Sequence, residues 1–84
     1  MTDTTVDVSR DGSTAILRIH GEITGGSEPP IMPAYVEAGD ARSIVLDFSQ
    51  LDYMNSGGIG LLVTLLVRTQ RAGQKLLAVG LSEH

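Results

Sequence analysis

An α/β domain that opens with a β-hairpin and continues in βα units is the fold class predicted here, and three observations predict it. Asp11-Gly12 stands between two runs of strand-like residues, a strong signal for a two-residue hairpin turn. Ser43 to Phe48 reads Ser-Ile-Val-Leu-Asp-Phe, a near-continuous apolar run of the kind buried on both faces of a parallel sheet. Ile59 to Val67 is strongly apolar, follows Ser56-Gly57-Gly58 and leads to Gly73, which reads as a helix with a natural stop. The resulting order is strand, strand, helix, strand, helix, strand, with the helices packed on the sheet.

Taken in order, Val6, Val8 and Arg10 alternate with polar residues and form the first strand. Thr14 to Ile19 returns antiparallel to it. Gly21, Gly25 and Gly26 mark a loop, and Ser27-Glu28-Pro29-Pro30 reads as a helix start with Ser27 as cap. Pro33 removes a backbone bond and crowds the preceding turn, so a short or distorted helix is expected over Ile31 to Ala38, ending near Gly39. Ser43 to Phe48 is the third strand. The long helix runs from about Ser56 to Arg71, and Lys75 to Val79 is the last strand, with Leu81-Ser82-Glu83 hinting at a further helix. On the long helix, Ile59, Leu62, Val63 and Leu66 share one stripe and are expected to face the sheet. Gly60 is expected to be small for close packing there. Leu61 and Leu65 stand on the flank, to be covered by a neighbouring helix or by a partner.

The composition narrows the function. With 84 residues the chain makes one domain, 1–84, whose small size leaves a thin margin of stability. Cysteine is absent, which excludes disulfides and thiolate metal sites. A net charge of −4, with scattered basic residues and only Tyr35, Phe48 and Tyr53 as aromatics, argues against nucleic acid. The N-terminus is polar and acidic, and the longest apolar run falls short of the ~20 residues that span a bilayer. The expectation is a soluble cytoplasmic protein with no membrane partner.

Chemistry concentrates at Asn55-Ser56-Gly57-Gly58-Ile59-Gly60. A serine followed by two glycines at a strand-to-helix junction sets a hydroxyl beside backbone amides that lack intrahelical partners, where the helix dipole favours negative charge. Ser56 is therefore a helix cap, part of an anion cradle, or a phosphate acceptor, and Asn55 is an equally good cap. No lysine follows the glycines in the Walker position, so nucleotide binding is a weak signal. Asp47 has no companion acidic pair for magnesium and reads as a loop anchor. His20 and His84 stand alone. No catalytic constellation, metal site or cofactor is expected.

The string Ser43 to Leu62, followed by Arg71-Ala72-Gly73-Gln74-Lys75-Leu76, resembles the STAS domain of bacterial anti-sigma factor antagonists. Gly21-Glu22-Ile23 is similar to that family's Gly-Glu-Leu step after the second strand. The resemblance runs from about Val6 to His84. It implies a STAS-like sheet, and a chain that lacks the family's C-terminal helix, strand and helix. It implies a non-enzymatic module that binds an anti-sigma factor with serine kinase activity, releases a sigma factor, and is switched off by phosphorylation of Ser56, with a PP2C-like phosphatase as a further partner. Glu22, Asn55, Gly57, Gly58, Ile59 and Gly60 would form the partner-binding and phosphate environment. Asn55 stands where the family usually has Asp, and Gly57 where it commonly has Ser or Thr. Alternatives are a STAS module of a larger assembly, stressosome-like or transporter-associated, and a weak nucleotide-binding domain. Finally, Lys75 to Val79 is expected to present an apolar open edge suited to homodimers.

Overall fold

The computed structural model describes residues 4–80. Strands β1 (Thr5–Asp11) and β2 (Thr14–Ile23) form the hairpin, with Asp11 opposite Thr14 and Val6 opposite Ile19. The two-residue turn is Gly12-Ser13 rather than the expected Asp11-Gly12, and Gly12 adopts φ 62° there, a left-handed conformation that disfavours side chains. A short 3₁₀ turn, Gly25–Ser27, leads into α1 (Glu28–Ala38), followed by β3 (Ser43–Met54), α2 (Ser56–Arg71) and β4 (Lys75–Val79). The strands lie in the order β1-β2-β3-β4. Strands β2, β3 and β4 run parallel, joined by the α1 and α2 crossovers.

Alternation along the strands creates the core. Ala15, Leu17, Ile19 and Ile23 of β2 and Ile44, Leu46 and Phe48 of β3 are buried, as are Ile31, Ala34 and Ala38 of α1. The opposite face of the sheet carries Asp7, Arg18, His20 and Asp47, with the ion pairs Arg18–Asp47 and His20–Asp7 both at 2.9 Å. His20 is thus paired rather than alone, and His84 lies outside the described residues.

Helix α1 starts three residues before the expected Ile31, because prolines suit the first turn, where backbone N–H groups lack partners anyway. Pro33 sits inside it and does not end it. Ser27 occupies the N-cap position but makes no cap bond. Its buried hydroxyl instead accepts from the Thr24 N–H at 2.9 Å and lies 2.8 Å from the Thr4 hydroxyl.

Two further expectations are corrected. Gly21 is strand, not loop, and the strands do not end at Ile19 and Phe48: β2 and β3 continue to Ile23 and Met54, paired across irregularities at Arg18/His20 and Gly21/Glu22. The other correction concerns α2. Leu61 and Leu65 are its buried leucines, at 8% and 1% exposure, whereas Ile59 and Val63 are each 54% exposed. The sheet-facing stripe is Gly58, Leu61, Leu65 and Thr69. At about 100° per residue this lies roughly a quarter turn from the expected one.

Candidate functional site

The ends of β2 and β3 and the start of α2 meet at one corner of the sheet. The Asn55 N–H donates to the Ile23 carbonyl at 3.2 Å, which fixes the strand-to-helix junction against the end of β2. Asn55 has extended backbone, φ −111° and ψ −177°, and its Oδ1 accepts from the Gly58 N–H at 3.0 Å. Its carbonyl accepts from the Ile59 N–H at 3.0 Å. Asn55 is therefore the N-cap.

Ser56 is the first helical residue and is exposed. Among the described residues its hydroxyl has no hydrogen-bond partner, and the N–H groups of Ser56 and Gly57 have no acceptor. Capping is taken over by the neighbour, so the Ser56 hydroxyl has no structural task in this corner. With no acceptor on that hydroxyl among the described residues, a group that transfers anything to Ser56 must bring its own base.

The glycines have distinct reasons. A Cβ on Gly58 would lie 2.2 Å from the Ile23 carbonyl oxygen, and one on Gly57 would lie 2.8 Å from the Gly25 nitrogen. Both are needed for α2 to seat on β2 and on the 3₁₀ turn. Gly60 is different: nothing lies within 4 Å of a Cβ placed there, so the close-packing role expected of it belongs to Gly58. Ile59 is exposed beside Ser56 on the helix surface. Glu22 is half-buried opposite Tyr53, and its carbonyl accepts from the Thr4 and Ser27 hydroxyls. The structure thus gathers Asn55, Ser56, Gly57, Gly58 and Ile59 into one corner, with Glu22 one residue from its edge. Gly25 and Thr24 complete that corner from the other side. The sequence reads Gly25 as loop, although paired glycines at 25–26 and 57–58 are a legible sign of close backbone packing.

A second polar centre lies within β3, where its pairing with β4 ends. Asp47 Oδ1 accepts from the Ser49 N–H at 2.9 Å and Oδ2 from Arg18 at 2.9 Å. The Ser49 backbone N–H, then the Arg18 guanidinium and the Ser49 hydroxyl, hold its carboxyl down at about 2. A Cβ on Gly80 would come within 2.7 Å of the Ser49 nitrogen and 3.1 Å of Asp47 Oδ1, so the chain leaving β4 packs directly on this cradle. Asp47, expected to anchor a loop, lies instead inside β3 and ties it to Arg18 of β2. Among the described residues no group of three or more His, Asp or Glu side chains is placed to hold a metal ion. No helix there is long and apolar enough to cross a membrane.

The corner and the sheet order define a small βα module whose exposed chemistry sits at one helix N-terminus. The STAS domain model matches residues 5–84, and the chain belongs to the STAS family. Solved structures share the fold. The anti-sigma factor antagonist SpoIIAA in its unphosphorylated form superposes with a TM-score of 0.70 at 17% identity, over 94% of this chain and 76% of that one. The STAS domain of an anti-sigma factor antagonist from Rhodobacter sphaeroides gives 0.72 at 22% identity, over 95% and 87%. Mglu gives 0.76 at 23% identity over 86% of this chain, yet this chain spans only 18% of Mglu.

Proposed function

We propose that residues 1–84 form a single STAS domain that acts in the bacterial cytoplasm as an anti-sigma factor antagonist. It docks the Asn55–Gly60 corner on an anti-sigma factor with serine kinase activity, and the sigma factor is thereby released. The kinase switches the complex off by phosphorylating Ser56, and a PP2C-like phosphatase resets it. The module itself is non-enzymatic, and the base and the Mg·ATP belong to the partner.

One observation carries this reading: Ser56 is exposed at the first helical position while Asn55 does the capping. A phosphate there adds roughly −1.5 to −2 charges. The helix N-terminus, with the unclaimed Ser56 and Gly57 amides, accommodates that charge without unfolding the domain. A partner packed against the same corner meets a bulky dianion and is expelled. Incubation with the cognate kinase and Mg·ATP, followed by intact-mass measurement and peptide mapping, is the direct test. Phosphate on Ser56 alone is expected, with Ser56→Ala permanently binding-competent and Ser56→Asp weakened. Modification elsewhere, or none, overturns the reading.

A second reading rests on Mglu, where this fold is a small part of a larger chain. On that reading the domain is an unphosphorylated interaction module of a larger assembly, and its partner binding is indifferent to Ser56→Asp.

A further inference from the structure

The basic residues, scattered along the sequence, are gathered by the fold. Arg10 and Arg18 are engaged in ion pairs with Asp40 and Asp47. Arg42, Arg68, Arg71 and Lys75 are exposed, and among the described residues none of them has an ion-pair partner. These four stand around the end of the sheet where β3 and β4 begin, opposite the Ser56 corner. Arg42 lies just before β3, and its carbonyl accepts from the N–H of Lys75, the first residue of β4, at 2.9 Å. Arg68 and Arg71 lie in the last turn of α2. Carboxylates are kept away from this side, since Tyr53 to Gly80, which holds α2 and β4, contains no Asp or Glu. In a chain of net charge −4, that is a segregation of charge.

Helix dipoles account for only part of it. The C-terminus of a helix carries the equivalent of about half a negative charge, which the two arginines of α2 exceed roughly fourfold. Arg42 and Lys75 belong to no helix. The end of α1 is already answered by Arg10, which donates to the Ala38 carbonyl at 3.0 Å. The surface is also shaped and held. Two open hollows, each of about 480 Å³, flank the α2–β4 turn, one beside Tyr35 and the two arginines, the other between Arg42 and Lys75. Gln74 fixes the ridge between them: its Oε1 accepts from the Tyr35 hydroxyl at 2.7 Å, and its Nε2 donates to the Ala41 carbonyl at 2.6 Å. A surface ordered in advance loses less freedom on binding.

We propose that this pole is a second docking surface, separate from the Ser56 corner, and that its occupant is an acidic segment of a partner protein. It does not rest on the reading of Ser56, and it leaves that corner free. Three of the four cations are arginines, whose planar fork matches a carboxylate with two parallel hydrogen bonds. Hollows on either side of a ridge suit separate carboxylates carried on one chain, whereas a flat lipid surface does not enter them. Tyr35 is half-buried with its hydroxyl bound, so it offers no stacking platform for nucleic acid. The net negative charge of the whole chain also opposes a phosphate backbone.

Fluorescence anisotropy of a labelled peptide of alternating glutamate and alanine, titrated with the full chain, tests the proposal. Binding is expected to saturate, to weaken as salt is added, and to be lost when glutamine replaces the glutamates. Amide NMR shifts on peptide addition should centre on Ser13, Ser43, Gly73 and Lys75, which border the second hollow. Arg42→Gln combined with Lys75→Gln should weaken binding roughly tenfold, with an unchanged thermal midpoint because both side chains are exposed. Absence of saturable binding overturns the proposal. So does binding that the glutamine peptide shares, or that survives loss of the Arg42 and Lys75 charges. Tighter binding of oligothymidylate or of phosphatidylserine vesicles than of the peptide overturns it too, and assigns the pole to nucleic acid or to lipid.

Discussion

Asn55 does by hydrogen bonding what a neighbouring serine would do elsewhere, and this division of labour gives sharp expectations for single substitutions. Its side chain acts as an acceptor through Oδ1 to the Gly58 N–H. Asn55→Asp keeps that acceptor and adds a charge favoured at a helix N-terminus by ~0.3–1 kcal/mol, so thermal stability should hold or rise. Asn55→Ala removes the cap and should cost about 1 kcal/mol. Chemical denaturation of the two variants separates these outcomes, and a loss with Asp as large as with Ala would mean that the amide group itself is structural. The two helical glycines diverge in the same way. Gly60→Ala meets open space and should stabilise by up to about 1 kcal/mol through helix propensity. Gly58→Ala drives a methyl into the Ile23 carbonyl at 2.2 Å and should cost several-fold more, displacing α2 or preventing folding. Comparison of their unfolding midpoints reads both.

At the scale of elements, α2 shows which features were legible in the sequence and which were not. The hairpin was legible because Asp11-Gly12 is a local signal, and β3 was legible as a strand as far as Phe48, although it is buried on the helix side alone, through Ile44, Leu46 and Phe48, and not on both faces as its apolar run suggests. The continuation Ser49–Met54 was not, since its polar residues are held as strand by pairing with the end of β2, which no local pattern reveals. The buried face of α2 was illegible for a different reason. Half the helix is apolar, two adjacent stripes satisfy the same spacing, and periodicity cannot choose between them. What chooses is Gly58, the residue without a Cβ at the closest approach to β2, which brings Leu61, Leu65 and Thr69 inward with it. The candidate corner was legible in its composition, but not in the assignment of the cap to Asn55 over Ser56. Core truncation tests the orientation. Leu65→Ala should cost about 2–5 kcal/mol, while Val63→Ala, measured at high dilution, should stay within roughly 0.5 kcal/mol. Equal losses would restore the stripe that periodicity alone suggests.

For the whole molecule, size and charge set the terms. The Cα radius of gyration is 11.9 Å, matching the roughly 12 Å expected of a compact chain of this length. The sheet face away from the helices is held by cross-strand ion pairs, and the strongest anchor among them is Asp47. Its carboxyl lies at about 2 against an ordinary 3.8. A carboxyl held low in the folded state contributes stability that is fully present above the unfolded value and is lost as pH falls through the folded one. Asp47 therefore supports the fold above about pH 4 and ceases to do so as the pH approaches 2, when Arg18 and the Ser49 N–H lose their acceptor and the seat of Gly80 loosens. Acid also moves the net charge of the whole chain away from −4 toward positive values, which destabilises the domain in any case. Asp47→Asn isolates the share of this one group. At neutral pH it should be less stable than the unmodified chain, and the difference should shrink progressively between pH 4 and pH 2. Urea midpoints measured at high dilution across that interval follow it. A difference that stays constant with pH would mean that Asp47 anchors β3 by shape and hydrogen bonding alone, with its charge playing no part.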